Sequence, residues 1–156
     1  MDLLADLERF REKYETAWGS WYYNDCVRVL NYFESECKNN EHWMVMPDMG
    51  FLIASAYNCV VLFFSNEQCL TFFPHAEPPP EGTSIRVMAI AYVNKNHFVK
   101  LFLNDVAPIP HVATKWNILR TEEAASWMQL FADRITLFKS LASRGVRTKD
   151  STIIIN

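Results

Sequence analysis

Six apolar residues follow one another without a polar interruption at Cys59-Val60-Val61-Leu62-Phe63-Phe64. A strand with one face in water alternates polar and apolar residues, so an unbroken run predicts a strand over Cys59–Ser65 that is buried on both faces. Such a strand needs covering layers, and the segment before it supplies one. Pro47 suits the first turn of a helix, and Asp48 suits the positive end of its dipole. Leu52, Ile53 and Ala56 give that helix an apolar face, and Asn58 can end it in a left-handed conformation. The apolar run is far too short to cross a bilayer, which takes about 20 residues.

More strands follow. Asn66-Glu67-Gln68 reads as a turn and Cys69–Phe73 as a second strand. His75 to Gly82 holds three successive prolines, so a stiff surface loop without ladder bonds is expected there. Ile85–Val93 is apolar on both faces and belongs in the middle of a sheet. Asn94-Lys95-Asn96 is a short turn, because Asn tolerates positive φ. His97 opens the return strand, which runs to Leu103.

Helices flank this β-rich centre. Leu3, Leu7, Phe10, Tyr14 and Trp18 recur at spacings of three and four, which predicts one helix stopped by Gly19. Cys26, Val29, Leu30, Phe33 and Cys37 predict a second, capped by Asn24 or Asp25. Lys38–Glu41 is a polar loop. Pro108 and Pro110 end regular structure, and Thr121 with Glu122 and Glu123 starts a last helix carrying Ala124, Trp127, Phe131, Ile135 and Phe138 near one face. The expected fold class is α+β, a small mixed or antiparallel sheet flanked by helices.

Composition narrows the function classes. The chain has 156 residues, half of them apolar, which fits one packed domain over residues 1–143. Residues 144–156, polar and basic before Ile153-Ile154-Ile155, are expected to form a flexible tail. The formal charge is −3 and no dense Lys/Arg block occurs, so nucleic acid is not the expected partner. Met1-Asp2-Leu3-Leu4 lacks the basic start and apolar run of a secretory signal. An intracellular protein, cytoplasmic or nuclear, with reduced cysteines is the expectation, and no membrane partner. Cys26, Cys37, Cys59 and Cys69 form no CxxC pair. Cys37 with His42 would give only two ligands, so neither metal nor cofactor is expected.

A longer string carries a family resemblance. Trp43-Met44-Val45-Met46-Pro47-Asp48-Met49-Gly50-Phe51-Leu52-Ile53-Ala54-Ser55-Ala56-Tyr57-Asn58, then Leu70-Thr71-Phe72-Phe73-Pro74, resembles the second half of plant OTU (ovarian tumour)-like cysteine proteases, including transposon-associated ones. The likeness continues through Ile85–Val93, His97-Phe98-Val99, Pro108-Ile109-Pro110, Trp116 and Trp127. Asp2-Leu3-Leu4 resembles the family's helix after the catalytic helix, so the resemblance spans residues 2–141.

The resemblance implies a papain-like deubiquitinase chemistry. A cysteine thiolate attacks the isopeptide or peptide bond at the tail of ubiquitin, and a histidine opening a late strand takes the thiol proton. His97 matches that general-base position, whereas a lone histidine by a turn would otherwise be a surface residue without a mechanism. Asn94 or Asn96 is a candidate to orient its ring. The family order puts the nucleophile ahead of Met1. Cys26, in Tyr23-Asn24-Asp25-Cys26, faintly resembles a nucleophile turn but comes too soon before Trp43 and suits a helix core, so it is an unfavoured substitute. Cys59 and Cys69 read as core residues.

Asp48 reads as a helix-start carboxylate. His42, His75 and His111 read as loop residues without chemistry, and Trp18, Trp43, Trp116 and Trp127 as packing residues. The expectation is therefore a catalytically silent OTU-like domain that binds ubiquitin, a ubiquitin-like protein or another partner. The alternatives are a thiol protease using Cys26 and a remnant without selected function. Self-association through exposed core surface would accompany a missing helix.

Overall fold

The structure is a computed structural model that describes residues 3–33, 40–82 and 84–143. The expected tail beyond residue 143 and Cys37 lie outside the described residues. The first expected helix is two, α1 (Leu3–Arg9) and α2 (Arg11–Trp18), broken at Phe10 where φ is −112° and ψ is 28°. Gly19 ends α2 as its spacing suggests, with its N–H on the Glu15 carbonyl. Its own carbonyl accepts the Tyr23 N–H, so it also opens α3 (Ser20–Leu30). At φ 85° an L side chain would be strained there. Asn24 and Asp25 therefore lie inside α3 and cap nothing; Asp25 instead pairs with Arg28 one turn on, at 2.8 Å. The buried stripe is Tyr23, Cys26 and Val29.

A 3-10 turn at Asn40–His42 leads towards α4 (Met49–Tyr57). Pro47 stands in the turn before α4, not in its first turn. Asp48 makes no cap hydrogen bond but accepts one from Lys115 Nζ at 2.9 Å. Asn58 does end the helix, at φ 44° and ψ 58°. Near the helix start, a Cβ on Gly50 would lie 2.6 Å from Cδ2 of Phe72, whose side chain is fully buried against Phe51. Gly50→Ala should therefore lower stability by about 1–3 kcal/mol through overpacking, although alanine favours helix. A denaturant midpoint equal to or above the parent's would refute this.

The four expected strands form one sheet: β1 (Val60–Phe64), β2 (Cys69–Phe72), β3 (Val87–Val93) and β4 (His97–Leu101), in the order β2-β1-β3-β4. β1 pairs antiparallel with β2 and parallel with β3, and β3 pairs antiparallel with β4, so the sheet is mixed. β1 has the predicted burial, Val60 to Phe63 being inaccessible. β3 is central as expected, but of its residues only Ala89 is fully buried, while Val87 and Met88 are exposed. Apolar residues on both its faces do not mean cover on both faces.

The two sheet edges differ. Thr71 of β2 exchanges backbone hydrogen bonds with His111 and Ala113, each 2.9 Å, and its Oγ1 donates to the Pro110 carbonyl at 2.8 Å. The chain after Pro108 thus covers that edge. Among the described residues nothing equivalent pairs with the outer side of β4.

The segment from Trp116 to Leu119 forms an unexpected short helix, α5. The single closing helix expected from Thr121 is instead a 3-10 turn at Glu123–Ala125, α6 (Ser126–Leu130) and α7 (Ala132–Ser143). Thr121 Oγ1 does accept the Ala124 N–H. The break falls at Phe131, whose ring lies 5.4 Å from that of Phe73, which also stacks on Trp127 at 5.9 Å. Tertiary packing outweighs the continuous helical period here. No described helix is long and apolar enough to cross a membrane.

Candidate functional site

His97 is the first residue of β4 and pairs with Val93 across the hairpin. Asn94 and Lys95 form the turn with φ of 53° and 60°. Asparagine adopts that conformation readily; Lys95 does so at a cost of about 1–2 kcal/mol. The turn brings Asn96 Oδ1 to 2.8 Å from His97 Nδ1. An amide oxygen only accepts, so Nδ1 carries a proton, and in the neutral ring Nε2 holds the lone pair. The ring is exposed, oriented and basic at Nε2, and of the two candidate asparagines it is Asn96 that touches it.

The thiols lie elsewhere. Cys26 is buried on α3, and burial first, then the carboxylates of Asp25 and Asp48, push its pKa up to about 12. A nucleophilic cysteine needs the reverse, a neighbouring cation that favours the thiolate. The Cys59 thiol is also pushed up by burial, and its Sγ–H points to the Ile53 carbonyl. Cys69 Sγ faces the Ser65 carbonyl. Among the described residues no sulfur hydrogen-bonds His97, and no three His, Cys, Asp or Glu side chains gather as a metal site.

The remaining sequence candidates are placed as follows. Asp48 holds Lys115 at the start of α4, a half-exposed pair worth about 0–1 kcal/mol. His42 stacks on Tyr32 at 3.7 Å, and His111 contributes its backbone carbonyl to the β2 edge. Trp116 and Trp127 are buried, Trp18 stacks on Tyr14, and Trp43 is exposed. Neither a family model nor a curated protein nor a solved structure matches this chain.

One cluster escaped the sequence reading. His75, expected in a surface loop, is fully buried where α1, α2 and the segment after β2 meet. Tyr14 donates its hydroxyl proton to Asp6 Oδ2 at 2.8 Å, and Ser55 donates to Asp6 Oδ1 at 3.0 Å. A phenol has one proton, so the 2.8 Å contact between Tyr14 Oη and His75 Nε2 is an Nε2–H donating to that oxygen. Nδ1 is then a bare acceptor, buried without a partner.

The electrostatics follow from that burial. Desolvation, then Lys13 and Arg9, lowers the His75 pKa to about 4. Desolvation also raises Asp6 above the usual carboxylate value despite its two hydrogen bonds, and it raises Tyr14. This network joins four separated chain segments, and Asp6, Tyr14 and His75 are at most 1% exposed, so it is a structural joint. A signal was present: Asp6 lies one helical turn from both Leu3 and Phe10, and His75 follows Phe72-Phe73-Pro74 directly.

Proposed function

We propose that this chain is an OTU-like domain derived from a deubiquitinase, catalytically silent as it stands, that serves as a binding module for ubiquitin or a ubiquitin-like protein. The observation that supports this reading is the His97 ring. It opens a late strand at an exposed hairpin, and an asparagine amide orients it by accepting from Nδ1. A general base so prepared, without a described thiol beside it, fits an inherited site that no longer forms an acyl-enzyme. Exposed Phe98 on β4, with exposed Phe102 and Val106 in the segment that follows it, offers apolar surface for a protein partner. The protease alternative through Cys26 draws no support from its acid-flanked, buried thiol.

Two assays test the reading. Ubiquitin chains should remain uncleaved and a thiol-directed ubiquitin probe should not label this chain, because no described thiol hydrogen-bonds His97 and a hydrolase without a working nucleophile turns over on the order of a million-fold more slowly. His97→Ala should match the parent in both assays, while titration with monomeric ubiquitin should give saturable binding. Labelling that disappears in both His97→Ala and Cys26→Ala would make the protein a working protease. Absence of ubiquitin binding would end the binding-module reading.

A further inference from the structure

The sheet covers one of its edges and leaves the other open. β2 is paired through Thr71 to residues 111–113, whereas β4 is the terminal strand with no described backbone partner on its outer side. An open edge is a row of unpaired N–H and C=O groups that another extended segment can join. Strand alternation puts Phe98 and Lys100 on one face of this edge, Phe102 follows just past its end, and Phe98 and Phe102 are 44% and 75% exposed. Lys100 Nζ stands 4.8 Å above the Phe102 ring. Beside Phe98 a cavity of about 250 Å³ is lined by Tyr92, Phe63, Met46 and Trp43.

Charge selects the occupant. No Asp or Glu occurs between Glu81 and Asp105, while Arg86, Lys95 and Lys100 all fall in that interval together with His97. The β3–β4 hairpin thus carries Lys95 and Lys100 and no carboxylate, on a chain whose formal charge is −3. In the register that sets Lys100 opposite Lys100, the like charges oppose an antiparallel β4–β4 junction between two copies. We propose that the outer edge of β4 is a docking site for an extended acidic segment of a partner protein, which adds a fifth strand, sets apolar side chains beside Phe98 and pairs a carboxylate with Lys100. This site goes beyond the ubiquitin reading and does not depend on it.

The test uses the full chain and an acetylated octapeptide, Val-Phe-Glu-Glu-Val-Phe-Glu-Glu, in which each face carries apolar and acidic residues in turn. Its counterpart has lysine for every glutamate. The glutamate peptide should bind saturably, slow amide hydrogen exchange over residues 97–101 and weaken as salt rises. Lys100→Glu should weaken it at least ten-fold, whereas Trp21→Ser on α3 should not, since Trp21 is 79% exposed and remote in sequence from the hairpin. The double variant Lys95→Glu/Lys100→Glu should gain affinity for the lysine peptide.

Four results would overturn the proposal. Equal binding of both peptides by the parent would remove the charge argument, and protection outside β4 would move the site. Tighter binding of oligothymidylate would make the hairpin a nucleic-acid surface. A dimer with β4 amides already protected in the absence of peptide would give the edge to a second copy. Ubiquitin titration is a separate arm, so failure there leaves this site standing.

Discussion

Acidification from pH 6.5 to pH 4 should remove about 3 kcal/mol of folding stability through His75 alone, because its pKa falls from the ordinary 6.5 to about 4 on folding. Between those two values the unfolded chain binds a proton that the folded protein does not. The stabilising contribution of neutral His75 is fully present above pH 6.5, declines as pH falls, and is lost as pH passes below about 4. The geometry gives the cause: a second proton would sit on Nδ1, a buried atom without a hydrogen-bond partner in the fold, near Lys13 and Arg9.

Asp6 acts in the opposite sense. Its pKa is raised in the fold, so the folded protein takes up a proton before the unfolded chain does, and acidification through that range adds stability. The net loss on acidification is therefore smaller than the His75 part. Chemical denaturation across this pH range should show a falling stability in the parent. In His75→Leu the fall should vanish, leaving the opposite slope of Asp6. An unchanged slope in that variant would show that His75 is not the titrating group.

Trp127→Ala should lower stability by about 3–5 kcal/mol, the range for truncating a fully buried tryptophan. Three contacts are lost together. The indole stacks on Phe73, lies within 6.4 Å of the Phe131 ring, and donates Nε1–H to the Glu77 carbonyl at 2.8 Å. That last bond anchors the start of the proline run, which has no ladder bonds of its own. Thr121 Oγ1 on the Ala76 carbonyl, and the Thr121 N–H on the His75 carbonyl, are the neighbouring anchors.

The variant should therefore also open the segment 76–82 locally, seen as faster proteolysis there under conditions where β1 amides remain protected. Trp127→Phe should recover much of the packing while leaving the Glu77 carbonyl unpaired. It should lie between the parent and alanine. A melting temperature within a degree or two of the parent for Trp127→Ala would contradict this placement of the side chain.

Much of the fold was legible because it rests on short-range chemistry. The continuous apolar run gave β1, the Asn94–Asn96 turn gave the β3–β4 hairpin, and Asn58 and Gly19 marked helix ends through their tolerance of positive φ. His97 at the head of β4 follows from the same turn. Periodicity was silent on long-range choices. It could not place β3 parallel to β1, cover β2 with residues 111–113, or break the closing helix at Phe131, since each depends on partners far along the chain.

The site divides the same way. The Asn96–His97 contact is between adjacent residues and was open to inference from the turn. The Asp6–Tyr14–His75–Ser55 joint draws on residues separated by up to 69 positions, and a polar residue beside an apolar stripe reads alike whether it meets water or a buried partner. Local sequence determined the four strands, the hairpin turn and most of the helical segments, but not α5 or the helix breaks at Phe10 and Phe131. Only the tertiary structure decided which polar side chains are desolvated, which sheet edge is covered and which thiols are held away from a base, because burial is a property of what the rest of the chain brings to a residue.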